Sequence, residues 1–173
     1  ALILRLGETL DERINLRVHA LAARIHQNAQ PWLLDIVPAF ASLAVCFDPR
    51  AFASDVDPCK AVASWLKDQG LDDMQADNSP AARTHEIPVR YGGEHGPDLD
   101  AVAAHSGLEP AEVIRRHTAP LYRVGMLGFA AGFPYLLGMD SALAMSRRAT
   151  PRTQVAAGSV GIGGSQTGIY PRN

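Results

Sequence analysis

The chain contains little cysteine and no long apolar run, and both shortages exclude classes of protein. Only two of its 173 residues are cysteine, too few for the disulfide scaffold of a small secreted domain. Cys46 and Cys59 do not form a Cys-x-x-Cys pair. No apolar run approaches the roughly 20 residues of a membrane helix, and no signal peptide is recognisable. By default we expect a cytoplasmic protein, and because Ala1 already lies in a strand pattern we expect further residues before it.

The chain also lacks a strong net charge of either sign. It carries 16 Lys and Arg against 18 Asp and Glu, a formal net charge of -2. This balance gives no electrostatic basis for binding nucleic acid or an anionic membrane. The local arrangement is more informative, because Arg147, Arg148 and Arg152 lie close together in the sequence. A guanidinium group suits planar carboxylates and phosphates, although a solvated basic turn explains the three arginines equally well.

Metal-binding and nucleotide-binding motifs are missing too. None of the six histidines has the spacing of a metal-binding motif, so we expect no metal site. Residues 161–168 resemble a phosphate-binding loop but lack its Lys-Ser/Thr ending and the helix that follows it. The glycines there leave open a backbone cradle for a carboxylate or phosphate. Ser159 lies in a sequence close to a nucleophile elbow, but without the strand–turn–helix context, which favours a bend in a strand.

The first half of the chain alternates strand and helix patterns. Apolar strand patterns occur at residues 1–6, 32–37 and 43–47. A capping box from Thr9 to Glu12 predicts the start of one helix, and the Asp57-Pro58 pair predicts another that ends at Gly70. The order strand, helix, strand, strand, helix indicates a split βαβ, ferredoxin-like unit. Residues 71–84 are polar and acidic, and they predict a linker between a domain at 1–84 and another at 85–173.

The second half predicts short helices followed by a glycine-rich β region. Residues 86–91 alternate as a strand, and two helices follow, one capped by Asp98 and one from Pro110 to His117. Nine of the 15 glycines lie between residues 125 and 168, separating short runs such as 154–157 and 159–162. This pattern is typical of a tight β-barrel. The Phe133-Pro134 bond could be cis or form a rigid turn, and the aromatics around it could be a packed corner or a pocket wall.

Four motifs, in order, resemble those of one protein family. They are Tyr91-Gly92-Gly93-x-x-Gly96-Pro97-Asp98-Leu99, Leu127-Gly128-Phe129-x-x-Gly132-Phe133-Pro134-Tyr135-Leu136, Arg147-Arg148-Ala149-x-Pro151-Arg152 and Ala157-Gly158-Ser159-Val160-Gly161-Ile162-Gly163-Gly164-x-Gln166-Thr167-Gly168-x-Tyr170-Pro171. The chain resembles the allophanate hydrolase subunit 1 family, which includes the B subunit of bacterial 5-oxoprolinase and the KipI-type inhibitors of sporulation kinases. The resemblance covers nearly the whole chain, the N-terminal part in layout only.

The resemblance implies a fold, partners and cofactors. The fold would be α+β, a small ferredoxin-like α/β domain at 1–84 followed by a cyclophilin-like β-barrel at 85–173. Members work with a related barrel subunit of the C type, and in 5-oxoprolinase a third, A-type subunit completes the ATP-dependent opening of 5-oxoproline to L-glutamate. We expect no cofactor in this chain, ATP used by the complex, and biotin only in a urea carboxylase system.

The chain departs from the family pattern in three places. The family usually has a proline within the segment that here spans residues 129–132, and often has Gly-Gly where Leu137-Gly138 stands. Family chains also continue past Pro171 with further barrel strands. We therefore expect a C-terminally truncated sequence, whose barrel would lack strands and expose a sheet edge.

Three functions stay open at this point: a 5-oxoprolinase subunit, a kinase inhibitor that docks through its aromatic and proline segment, and a subunit of a urea carboxylase or allophanate hydrolase system. For the first, motif position and side-chain chemistry indicate roles. The predicted catalytic residues are His117, Tyr135 and Gln166. The predicted substrate-binding residues are Arg148, Arg152, Phe133 and Ser159.

Overall fold

The computed structural model describes residues 1–70 and 83–172. The described chain is α+β, and it divides into two compact units, Ala1–Arg83 and Thr84–Asn173. Most of the predicted linker, residues 71–82, lies outside the described residues. None of the described helices combines the length and the apolar composition that a membrane crossing requires.

The first unit is a three-stranded sheet covered by helices. Its elements are β1 (Leu2–Arg5), α1 (Glu12–Gln27), β2 (Leu33–Pro38), β3 (Ser42–Phe47) and α2 (Pro58–Asp68). β3 lies between β1 and β2 and is antiparallel to both. Val45 in β3 pairs with Leu2 on one side and with Ile36 on the other. This order of helices and strands is the one that the sequence predicts.

The core of this unit follows from the periodicity of its sequence. Val18, Leu21 and Ile25 recur at helical spacing in α1 and are completely buried. Leu43 and Val45 alternate in β3 and are buried on the same side of the sheet. Each such side chain stabilises the fold by about 1.5–3 kcal/mol relative to full exposure.

The start of α1 differs from the prediction. Asp11, and not Thr9, is the N-cap: its carboxylate accepts hydrogen bonds from the backbone N–H of Arg13 at 2.7 Å and of Ile14 at 3.3 Å. A carboxylate also interacts favourably with the positive end of the helix dipole, which a threonine hydroxyl does not. The predicted Asp57 cap of α2 is confirmed, with Pro58 at the first helical position.

Asn15 is a fully buried polar residue within the helix–sheet core. Its side-chain Nδ2 donates to the backbone carbonyl of Phe40 at 3.1 Å and to that of Ala39 at 3.4 Å. Both carbonyls belong to the turn between β2 and β3. The amide therefore holds that turn against α1 and supplies a donor to carbonyls inside the unit.

Replacing Asn15 with Ala is expected to lower the free energy of unfolding by roughly 1–3 kcal/mol, because carbonyls inside the unit lose their donor. Urea unfolding followed by circular dichroism measures the change. Gln27→Ala, at the exposed end of the same helix, is the matched control and should change stability by less than about 0.5 kcal/mol. Equal stabilities of the two variants would contradict this role for Asn15.

The second unit combines two helices with a four-stranded sheet. Its elements are α3 (Leu99–Ser106), α4 (Pro110–Thr118), β4 (Arg123–Leu127), β5 (Pro134–Leu137), β6 (Val160–Gly163) and β7 (Gln166–Ile169). All neighbouring strands are antiparallel, in the order β4-β5-β7-β6. Buried residues of both helices, with Leu143 and the half-buried Ile162 of β6, form its core.

The described strands of this unit form an open four-stranded sheet. Two predictions for this unit are wrong. Residues 86–91 form no strand: Pro88 has no N–H for a ladder, and Ile87 and Val89 are exposed, so their alternation buries nothing. Residues 154–157 are not a strand either. Of the two options for Phe133-Pro134 a cis bond is excluded, since no described peptide bond is cis.

Candidate functional site

The β6–β7 hairpin has two chemically different faces. Its paired positions are Val160 with Ile169, Gly161 with Gly168, Ile162 with Thr167, and Gly163 with Gln166. Because side chains alternate along a strand, Ile162 and Thr167 point to one face, and Ile162 packs there against the core formed by α3 and α4. We call this the helix face. Gly161, Gly163 and Gly168 lie on the other side, the glycine face, together with Gln166.

The hairpin corrects the interpretation of residues 161–168 as an open anion cradle. Backbone groups in this segment are engaged in the β6–β7 ladder. At the turn, the N–H of Gly164 donates to the carbonyl of Met145 at 2.7 Å, and the N–H of Met145 donates back at 3.1 Å. Gly161 and Gly168 allow close packing, since a Cβ would lie 3.3 Å from the Tyr170 ring at the first and 2.6 Å from the Phe133 ring at the second.

Aromatic rings cover the glycine face. The ring of Phe133 lies directly on Gly168: a Cβ at this glycine would be 2.6 Å from the Phe133 ring and 2.9 Å from the carbonyl oxygen of Pro134. Tyr135 and Tyr170 pack against Phe133 with ring centroids at 4.9 and 5.2 Å. Phe129 completes the cluster at 5.4 Å from Phe133 and is 78% exposed. The result is an aromatic wall with one open end.

Four of the predicted site residues share this face. Tyr135 pairs with Gly168 across β5 and β7, and Gln166 is two residues from the same glycine. Ser159 precedes β6, two residues from Gly161, and its carbonyl accepts from the N–H of Tyr170 at 2.9 Å. With Phe133 on Gly168, the glycine face therefore presents an aromatic wall, a phenol, a hydroxyl and a carboxamide together.

His117 lies on the helix face, in the last turn of α4. Its Nδ1 is 2.6 Å from the Tyr91 hydroxyl and its Nε2 is 3.3 Å from Thr167 Oγ1. Thr167 donates its own hydroxyl proton to the carbonyl of Gly161 at 3.0 Å, so it accepts from Nε2. This series of hydrogen bonds assigns the imidazole proton to Nε2 and makes the Tyr91 hydroxyl the donor to Nδ1.

Burial keeps this network uncharged. It lowers the pKa of His117 and raises the pKa of Tyr91. Burial is also the main reason why the pKa of Tyr122 rises to about 12; the Tyr122 hydroxyl donates to the His117 carbonyl at 2.7 Å. His117 is only 7% exposed and is separated from Tyr135 and Gln166 by the sheet. The three predicted catalytic residues are therefore not brought together.

The predicted substrate-binding arginines share an internal carboxylate. Arg152 forms two hydrogen bonds to Asp98, at 2.5 and 2.9 Å, and Arg148 forms a third at 2.7 Å. The Arg152 bonds are the main cause of the lowered pKa of Asp98. Asp98 is therefore not the predicted side-chain cap of α3; it holds residues 147–152, which we call the arginine loop, to the start of that helix.

Sequence reasoning missed the partners of the predicted residues. All four of these partners lie within the family motifs, and this position in a motif could have identified them from the sequence: Tyr91, Asp98, Thr167 and Tyr170. Among the described residues, no three His, Cys, Asp or Glu side chains cluster as a metal site would require.

Gly168→Ala is expected to destabilise the protein by roughly 1–3 kcal/mol, because the new methyl group overlaps the Phe133 ring and the Pro134 carbonyl. Thermal and urea unfolding measure the loss. Gly163→Ala is the matched control on the same face, since its Cβ would meet nothing nearer than 3.9 Å. If both variants are equally stable, the close packing of Phe133 on Gly168 is wrong.

His117→Gln is expected to flatten the pH dependence of stability. Burial keeps the folded-state pKa of His117 below its unfolded value of about 6.5, so the unfolded chain takes up the proton first as the pH falls. Stability is then lost from about pH 6.5 down to the folded-state pKa. Urea unfolding between pH 8 and 5 tests this.

Tyr122→Phe is the control for that pH series. It removes the hydrogen bond to the His117 carbonyl but keeps the imidazole, so it should lower stability by a similar amount at each pH. Identical pH slopes for the wild type and His117→Gln would contradict a buried neutral imidazole.

The chain is similar in sequence to known proteins along its whole length. The whole chain, residues 1–173, matches the family described as the carboxyltransferase domain, subdomain C and D. It is 43% identical to the 5-oxoprolinase B subunit of Bacillus subtilis, over 99% of this chain and 73% of that protein. It is 38% identical to the 5-oxoprolinase B subunit of Escherichia coli, over 99% of this chain and 74% of that protein.

Solved structures show the same fold. The crystal structure of TTHA0988 superimposes with a TM-score of 0.80 at 40% identity, covering 99% of this chain and 32% of that one. The urea carboxylase of Kluyveromyces lactis gives 0.65 at 16% identity over 97% of this chain and 16% of that one, a likeness of fold alone. The chain spans about three quarters of the curated relatives and about a third of TTHA0988. The full-length family match, the two relatives and the four ordered motifs agree: this chain belongs to the carboxyltransferase subdomain C and D family, together with the allophanate hydrolase subunit 1 proteins and the B subunits of 5-oxoprolinase.

Proposed function

We propose that this chain is the B subunit of an ATP-dependent 5-oxoprolinase, a hydrolase complex that opens 5-oxoproline to L-glutamate. The observation that carries the proposal is the identity of 43% and 38% to two proteins named as the B subunit of 5-oxoprolinase, across nearly the whole chain. Urea carboxylation, one of the other two functions that the motifs leave open, is less well supported, since the urea carboxylase is similar in fold alone.

The glycine face offers groups that suit this substrate. 5-Oxoproline is a five-membered lactam with a carboxylate, so it presents an amide N–H, an amide carbonyl and a negative charge. The Tyr135 hydroxyl can donate to the lactam carbonyl, and the Gln166 carboxamide can pair with the amide. The exposed ring of Phe129, which packs on the buried ring of Phe133, supplies an apolar wall for the ring methylenes.

The reaction adds water across the amide C–N bond, and negative charge develops on the carbonyl oxygen as the water attacks. A donor fixed near that oxygen stabilises the transition state, and we assign this role to Tyr135. The buried contacts of His117 favour a scaffolding role for its imidazole over the predicted acid–base role. Ser159 is proposed to line the same face.

The finer aspects of fold and partnership belong to the same proposal. The first unit would be ferredoxin-like, and the second would be part of a cyclophilin-like barrel. The partners would be a related C-type barrel subunit and an A-type subunit. ATP would bind to a partner rather than to this chain, and biotin would have no role.

The test is reconstitution with the two partner subunits of the same organism. The complete complex should release glutamate from 5-oxoproline only when ATP is present, measured by a coupled glutamate assay. Gln166→Ala should lower kcat/KM by about tenfold, because the lactam loses its amide partner.

Gln154→Ala, an exposed amide in the same unit, is the control and should keep wild-type activity. Size-exclusion chromatography should show that both variants assemble. A complete wild-type complex that releases no glutamate with ATP would refute the proposed function; a fully active Gln166→Ala complex would refute only the role of that residue.

A further inference from the structure

Arg147 is the member of the arginine loop that lies beside the glycine face. A Cβ placed on Gly163 would be 3.9 Å from Arg147 Cγ and 4.0 Å from its Nε, so the arginine stem passes alongside this glycine. Gly163 pairs with Gln166, and paired residues of an antiparallel ladder project to the same side. Arg147 and Gln166 are therefore neighbours on the glycine face.

The backbone next to Arg147 is fixed on both sides. Two hydrogen bonds join Met145 to Gly164 at the hairpin turn, two residues before Arg147. Immediately after it, Arg148 is held by Asp98, to which Arg152 also binds. The side chains of these consecutive arginines therefore contact different parts of the unit: Arg148 binds Asp98 at the start of α3, and Arg147 lies beside the glycine face.

The ionic partners of the three arginines are unequal. Asp98 satisfies Arg152 with two hydrogen bonds and Arg148 with one. Among residues 1–70 and 83–172, Arg147 has no ion-pair partner, and its side chain is exposed. Two of the three guanidinium groups bind the one carboxylate and Arg147 does not, so the cluster keeps a local charge of about +2 that attracts an anion.

We propose that Arg147 binds the carboxylate of the substrate, beside Gln166, and that Asp98 is the positioning residue that directs it there. This inference rests on the proposed function and changes which arginine performs the binding. Arg152 already uses two of its five N–H donors on Asp98, which also neutralises much of its charge, whereas Arg147 offers its full fork of donors. Asp98 acts through Arg148 and Arg152 and does not itself contact the substrate.

The first experiment measures kinetics in the reconstituted three-subunit complex. Arg147→Ala should raise KM for 5-oxoproline by roughly 10- to 100-fold with kcat changed less than threefold, because a charged hydrogen-bonding pair is lost. Arg147→Lys should restore part of the affinity. Arg13→Ala, an exposed arginine of the first unit, is the control and should behave as wild type.

Asp98 has its own test. Asp98→Asn should also raise KM, by a smaller factor, because the loop is no longer held by a carboxylate. Asp98→Glu should restore most of the loss. A role limited to stability would instead lower the amount of folded complex without changing KM, and this outcome would overturn the positioning role.

A binding measurement separates this inference from the proposed function. Calorimetry on the wild-type complex should show tighter binding of 5-oxoproline than of 2-pyrrolidinone, the same lactam without a carboxylate. Arg147→Ala should remove this difference. If the wild-type complex hydrolyses 5-oxoproline but Arg147→Ala keeps its KM and its preference, the inference alone is wrong. If the complex is inactive, the proposed function fails, but the binding measurement still decides the inference. The inference is wrong if the wild-type complex shows no preference for 5-oxoproline, or if Arg147→Ala keeps that preference.

Discussion

The β6–β7 hairpin has glycines on one face and larger side chains on the other, and the packing of the second unit depends on this asymmetry. On the helix face, Ile162 packs into the core, and Thr167 accepts the hydrogen bond of His117. On the glycine face, Gly168 has no side chain, so the ring of Phe133 can lie against the backbone. A larger residue at Gly168 would displace the aromatic wall, and with it the surface that lies beside Gln166.

Charge distribution complements this packing. The network of His117, Tyr91 and Tyr122 stays neutral because burial disfavours the charged form of each group. The arginine loop, in contrast, is exposed and has an excess of positive charge, and Asp98 holds it in place. The unit therefore keeps a neutral interior on the helix face and an accessible cation next to the glycine face. This combination of an apolar wall, neutral hydrogen-bonding groups and one cation suits the small anionic amide that we propose as the substrate.

Sequence reasoning groups residues that the structure places on different faces of the sheet. Chemistry alone groups His117 with Tyr135 and Gln166, yet the imidazole in α4 contacts Thr167 on the helix face, whereas Tyr135 and Gln166 lie on the glycine face. Arg148 was chosen as a substrate ligand because its motif is basic, but its partner Asp98 lies 50 residues earlier in the chain. Long-range pairings of this kind leave no periodic signal in the sequence, whereas contacts within one helix or hairpin do.

The sequence by itself determined the α+β composition, the order of elements in the first unit, the Asp57 cap and the family, because each depends on local propensity, on hydrophobic period or on residues in fixed order. The tertiary structure decided that Asp11 caps α1, that residues 86–91 pair with no strand, and that the glycine-rich segment is a ladder and not an anion cradle. It also decided which arginine remains available. The physical reason is the same in each case: a hydrogen bond, an ion pair or a ring contact is decided by which groups meet in space, and distant parts of the chain compete for the same partner.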